Sequence, residues 1–325
     1  MLSILRITFP FFALVLCGFM ATRRGLLPLA AIPGLNAFVL FFALPCMLYR
    51  FGARTPIGQL LDPVAGGVYL LCALPLVAGA VWGLRALHSS WNDAAFGALV
   101  AAMPNSGFMG VPLLVALLGA QAAGPVILSM LVDMVCTTSL CIALSRLGAH
   151  GTHGAAVALR QALRGMAANP MPWAIALGAL ASALQWQLPQ PLEQTVAMLA
   201  DAASPVALFS IGAVLARAQI HPHEHVRPLS YVPLALAKLF VHPLLVWIVG
   251  HVAQALGAPL TPQTLLALVL VAALPSASNV SLLAERFGAH TGRVAHVILV
   301  STALAFLSFS AAVAWLVQRS TLSAT

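Results

Sequence analysis

Two proline-centred words hold the groups in this chain best suited to binding chemistry. One is Pro104-Asn105-Ser106 after Leu99-Val100-Ala101-Ala102-Met103, and the other is Pro275-Ser276-Ala277-Ser278-Asn279 after Leu270-Val271-Ala272-Ala273-Leu274. A proline deep in an apolar helix removes an N–H and crowds the preceding turn, so the helix breaks and exposes polar backbone. A half-helix starting after Pro104 or Pro275 would aim free N–H groups and the positive end of its dipole at the break, an arrangement suited to a carboxylate. Asn105, Ser106, Ser276, Ser278 and Asn279 add neutral hydrogen-bond partners. Such side chains also satisfy the backbone of a merely kinked helix. Two breaks in nearly the same words, 171 residues apart, favour a binding site.

Asp133 and Lys238, the chain's one lysine, fall deep in apolar runs. An ionised side chain there costs about 2.5–3.5 kcal/mol on insertion scales, so each needs a reason. They serve either to couple transport to a proton or another ion, or as a static charge pair, or as separate groups reaching water. Asp201 lies nearer a membrane face and is a weaker candidate.

Other clusters carry less. His221-Pro222-His223-Glu224-His225 has metal-ligand chemistry but sits between Arg217 and Arg227 in what reads as a solvated loop, and His242 beside Pro243 reads as a packing or hydrogen-bonding residue. Cys17, Cys46, Cys72, Cys136 and Cys141 lie in apolar runs without metal or redox spacing. No zinc-protease motif, phosphate loop or nucleophile elbow is present, so no enzyme, metal or cofactor is expected.

The elements that must position these residues are membrane helices. The chain of 325 residues is 61% hydrophobic and only 7% charged, far from the roughly 25% of soluble domains. Its net charge of +8 is scattered singly or in pairs, which excludes a nucleic-acid tract. Runs of about 20 apolar residues give ten spans, near 3–22, 31–50, 64–86, 94–118, 123–146, 170–188, 194–216, 229–252, 262–284 and 294–317. With both termini outside, ten arginines (23, 24, 85, 146, 160, 164, 217, 227, 286 and 293) fall on the inner side against four (6, 50, 54 and 319) outside. The basic pair Arg23-Arg24 follows the apolar stretch Phe9–Met20 instead of preceding it, so the first run reads as a retained span, not a signal peptide.

Five spans per half force the second half to enter from the opposite side, so the repeat is inverted. Residues 1–147 form the first repeat, 148–169 a cytoplasmic linker and 170–325 the second. The fourth span then pairs with the ninth through Pro104 and Pro275, and the third with the eighth through Pro75 and Pro243.

The chain resembles the auxin efflux carrier family, which includes the plant PIN carriers and bacterial malonate-type permeases. The resemblance runs over essentially the whole length and rests on the run Pro104–Pro112, the run Ala202–Gly212, Lys238-Leu239-Phe240-Val241-His242-Pro243, and Leu274–Asn279. It implies an all-α fold of ten helices shared with bile-acid sodium symporters. In that fold spans 1, 2, 6 and 7 form a scaffold and dimer contact, and spans 3–5 and 8–10 a mobile transport domain in which broken spans 4 and 9 cross beside the substrate. The chain lacks the long central loop of the plant carriers and differs from malonate permeases in the wording of span 4.

The function expected is that of an inner-membrane secondary carrier of a small organic anion, a homodimer working by alternating access, with a proton or sodium ion as the coupling partner to test. The alternative is a uniporter or exporter of an auxin-like amphipathic weak acid. A channel would not need two mirrored breaks, and a receptor would usually add a soluble output domain.

Overall fold

The computed structural model describes residues 2–147, 160, 169–220 and 226–322. The rest of the expected linker and the histidine run 221–225 lie outside the described residues. Among the described residues the chain is helical throughout, and its one β-type pairing is an isolated antiparallel bridge between Pro104 and Ser276.

Among the described residues seven helical segments are long and apolar enough to cross a membrane, and three apolar helices of 10–17 residues are shorter. In chain order the helices are α1 (Leu2–Arg23), α2 (Leu29–Arg54), α3 (Pro63–Ala86), α4 (Trp91–Ala102), α5 (Ser106–Leu118), α6 (Ala120–Ser145), α7 (Pro170–Ala183), α8 (Gln190–Ile220), α9 (Pro228–Ala255), α10 (Pro262–Ala272), α11 (Val280–Arg286) and α12 (Thr291–Leu322). The run read as the fourth span is thus split into α4 and α5, and that read as the ninth into α10 and α11.

The starts of several helices follow from local chemistry. Asp62, Asn169 and Thr261 each precede a proline at the first helical position, which has no N–H to satisfy, and each caps the next free amides. Asp62 Oδ1, for example, accepts from the amides of Val64 at 2.9 Å and Ala65 at 3.0 Å.

Four helical stretches widen into π turns: Val39–Ala43, Ser106–Gly110, Asp133–Thr137 and Ala237–Val241. Pro45, Pro112 and Pro243 follow three of them by two residues. A proline ring clashes with the carbonyl four residues back, and the wider turn moves that carbonyl aside. The fourth has no proline. There the Thr138 hydroxyl donates to the Asp133 carbonyl at 2.8 Å, five residues back. Asp133 and Lys238 therefore both sit in widened turns, where helices commonly carry function.

Packing falls into two sets of neighbours. In the first, α1 lies along α8 and α2 lies against α7 and α8. The α1–α8 contact is backbone to backbone: a Cβ on Gly18 would fall 1.9 Å from the Phe209 carbonyl oxygen, and one on Gly212 1.8 Å from that of Val15. In the second, α3, α6, α10 and α9 close a ring, each touching the next, with α4 against α3 and α6. Large apolar side chains such as Phe41, Phe42, Trp82, Trp173 and Met198 face outward, as a lipid-facing exterior requires.

Candidate functional site

The two breaks meet. α4 ends at Ala102, and Met103 turns extended (φ −87°, ψ 109°), the conformation that a following proline imposes. The Asn105 amide donates to the Pro275 carbonyl at 2.8 Å, and the Ala277 amide returns a bond to the Met103 carbonyl at 3.0 Å. A third bond ties the crossing to α12, from the Ser276 amide to Ser301 Oγ at 3.1 Å. Each break thus satisfies part of the other's exposed backbone. The amides of Gly107 and Phe108 on one strand, and of Ser278 and Asn279 on the other, donate to no backbone carbonyl.

A small cavity opens beside the crossing, with about 20 Å³ of free space, room for about one water. Pro104, Asn105, Ser106 and Asn279 line it, and so does Asp133 from α6. Pro275, Ser276 and Ser278 belong to the crossing but not to the cavity wall, and Lys238 is likewise absent from that wall. The rest of the wall is mostly apolar: Leu44, Met103, Phe108, Met130, Met134 and Met171. Ser106 Oγ and Ser276 Oγ are buried with no hydrogen-bond partner, a condition rare enough in folded proteins to mark places where a ligand or water belongs.

Asp133 and Lys238 do not form an ion pair within 4.0 Å; they are the ends of a buried polar chain whose middle step, Tyr69 to His242, is a ring contact without a hydrogen bond. Tyr69 of α3 donates its hydroxyl to Asp133 Oδ2 at 3.0 Å, and Thr137 donates to Oδ1 at 3.1 Å. The Tyr69 ring lies 5.6 Å from the His242 ring. His242 Nδ1 is 3.3 Å from Lys238 Nζ, and that ammonium also donates at 2.5 Å to the carbonyl of Ala272, the last residue of α10 before the second break. With Nδ1 accepting from lysine, the imidazole proton sits on Nε2, which has no partner. Lys238 thus stabilises a carbonyl that the break at Pro275 would otherwise leave short of a donor.

Tyr69, Ser301 and the methionines of the wall are site residues that the sequence did not single out. Tyr69 carried a faint signal, as one of only three tyrosines and the one deepest in an apolar run. The serine and methionines carried none, since both types are ordinary in membrane helices.

At the end of the bundle where α4 and α12 begin, the crossing helices are tied again. Asp93 at the start of α4 accepts from the His290 amide at 2.8 Å, and Asn92 donates to the Phe287 carbonyl at 3.0 Å.

Comparison with known proteins identifies relatives of this chain among membrane transporters. The model of the family described as Membrane transport protein matches residues 4–313. A Rhizobium meliloti (strain 1021) protein named "Putative malonate transporter" is 29% identical over 314 residues, which is 94% of this chain and 93% of that one. An Escherichia coli (strain K12) protein named "Uncharacterized transporter YfdV" is 25% identical over 288 residues, 87% of this chain and 88% of its own.

Proposed function

The chain belongs to the membrane transport protein family, that of the auxin efflux carriers, and on that premise we propose that this transporter is a secondary carrier of a small organic anion, binding a carboxylate at the crossing of the two breaks. The observation that carries the reading is the convergence, in one cavity, of Asn105, Ser106 and Asn279 with the unpartnered amides beside them. These are dipolar donors with no fixed positive charge. They orient an anion and still release it, as a carrier must.

Asp133 in the same wall sets the coupling. A carboxylate substrate beside an ionised Asp133 would place two like charges in a poorly solvated cavity, at a cost of several kcal/mol at about 4 Å. The anion is therefore accepted when Asp133 carries a proton or is neutralised by a sodium ion, and substrate and ion move together. The chain is proposed to sit in the inner membrane as ten spans in a 5+5 inverted repeat, with both termini outside. α1, α2, α7 and α8 are proposed as the scaffold of a homodimer and the α3–α6 and α9–α12 helices as the moving domain. The cavity is too small for a dicarboxylate as it stands, which fits a closed stage of alternating access.

The relative named for malonate supports dicarboxylates as the first substrates to test. A second reading, a uniporter or exporter of an amphipathic weak acid, is favoured by one feature, the four methionines and Phe108 of the wall, which would suit an aromatic or aliphatic body.

The deciding experiment is a thermal-stability screen of the purified protein against mono- and dicarboxylates, followed by uptake into liposomes. A ligand at 100 times its Kd adds about 2.7 kcal/mol to apparent stability. Stabilisation by malonate or another small carboxylate, with concentrative uptake under an ion gradient and its loss in Asp133→Asn, is expected. Stabilisation by aromatic weak acids alone, with only downhill movement, would establish the second reading.

A further inference from the structure

A second, far larger cavity is lined mainly by α3, α6, α10 and α9, with Leu118 of α5 and Leu316 of α12 completing its wall. It holds about 1030 Å³ and opens at the end of the bundle that carries residues 56–62, 119–122 and 256–261. Its mouth is polar, with Asp62, Gln121, His251, Gln254, Thr261 and Thr264. Among its lining residues the only fixed charge is the carboxylate of Asp62, and no lysine or arginine is present to hold an anion. The substrate proposed above is an anion, so this space is chemically unsuited to it.

The depth of the cavity says what it serves. All four helices of the ring carry a wall residue and then, further inward, a member of the buried polar chain. α3 passes from Ala65 to Tyr69, α6 from Leu128 to Asp133, α10 from Val269 to Ala272, and α9 from Trp247 to His242 and on to Lys238. The steps are three to five residues, so the polar chain begins about 4.5–7.5 Å below the wall. Three of the helices, α3, α6 and α10, start at the mouth and run inward while α9 runs toward it, yet all four register alike. The wall of this large cavity includes an apolar layer of buried residues, Ala65, Leu128, Leu265 and Val269, and the next turn inward on α3 and α6 carries Tyr69 and Asp133.

We infer that this cavity is the vestibule through which protons reach the Asp133–Tyr69–His242–Lys238 chain, by a route separate from that of the substrate. The inference rests on the coupling reading above and specifies its ion and its path. The groups that face the path are Asp62, Tyr69 and Cys72 from α3, Asp133 and Cys141 from α6, and Lys238, His242 and His251 from α9; α10 contributes no titratable side chain. His251 is tethered by Nδ1 to the Trp247 carbonyl at 2.8 Å, which leaves Nε2 to exchange protons at the mouth. Separate paths give a coupled carrier an advantage, since the proton can arrive or leave while the anion occupies the crossing.

The test is the accessibility of the polar chain to a small cation from water. In the full chain with its five cysteines replaced, His242→Cys places one thiol in the polar chain but outside the wall of the substrate cavity. Silver ions added to right-side-out spheroplasts should block that thiol from later labelling in denaturant. Ala65→Trp, which fills the vestibule, should slow the block roughly tenfold, and Leu128→Ala, which thins the apolar layer, should speed it by a similar factor. If Ala65→Trp fails to give a monodisperse protein, the acceleration by Leu128→Ala decides alone. Silver access from the cytoplasmic face only, or rates indifferent to both substitutions, would overturn the vestibule. The coupling reading fails separately: pH-gradient-driven malonate uptake that survives Asp133→Asn would refute coupling while leaving the silver result intact. Silver access needs no substrate, so it decides the route even where malonate is not carried.

Discussion

Asn105 and Asn279 are the side chains whose removal tests the crossing most directly. Both line the small cavity, and neither side-chain amide is used up by a hydrogen bond to the protein. A hydrogen bond to a charged ligand contributes about 1.5–3 kcal/mol, so Asn105→Ala or Asn279→Ala should weaken carboxylate binding on the order of tenfold to more than a hundredfold, read by calorimetry on protein of unchanged stability. Wild-type affinity in both variants would move the site elsewhere and leave the breaks a purely mechanical role. These asparagines were visible in the sequence because polar residues beside a proline in an apolar run violate the helical pattern. Asp133 and Lys238 were visible for the same reason. What links them was not, since Tyr69 and His242 come from different helices and nothing in the spacing along one chain reports the distance between two helices. The histidine read as a packing or hydrogen-bonding residue beside Pro243 turns out to bond to Lys238, a partner one turn away.

At the scale of elements, proline placement explains more of the structure than hydropathy does. Pro104 and Pro275 end α4 and α10, and Pro45, Pro112 and Pro243 follow π turns, yet Pro10, Pro75 and Pro205 lie inside helices that continue through them. The difference is what surrounds each ring. At the crossing, a second broken strand supplies the donors and acceptors that each lost helical turn needs, so the break is held open instead of healed. Apolar runs in the sequence located the helices, and the prolines located the breaks; that one break would pair with the other across the chain followed only from their likeness. The opposite case is α1 against α8, where close approach depends on the missing side chains of Gly18 and Gly212. Gly212→Ala places a methyl group against a backbone oxygen that cannot move alone, and the two helices must separate. Overpacking of this kind costs about 1–3 kcal/mol, so the midpoint of thermal unfolding in detergent should fall. Gly67→Ala on α3 has open space around it and should leave the midpoint unchanged. Equal midpoints for both variants would mean that α1 and α8 are not held by this contact.

For the whole molecule, orientation decides which bath each cavity meets. Among the described residues Arg23, Arg24, Arg85, Arg146, Arg217, Arg227, Arg286 and Arg293 lie at or beside one set of helix ends, and Arg6, Arg50, Arg54 and Arg319 towards the other. Arg50 binds Asp201 at 2.7 Å and Arg54 approaches Glu193 at 3.9 Å. The large cavity opens at the opposite ends, beside Asp62, Gln121 and Gln254, so in the orientation proposed above it would face the outer compartment, from which a proton-motive force would supply protons. Single cysteines in a cysteine-free chain test the arrangement. Ala86→Cys, exposed at the arginine-bearing end of α3, should resist an impermeant thiol reagent in intact cells, while Gln190→Cys, exposed at the start of α8, should react. Both should react once the membrane is permeabilised, which separates sidedness from burial. The reverse pattern would turn the vestibule toward the cytoplasm and remove the outer compartment as its source of protons.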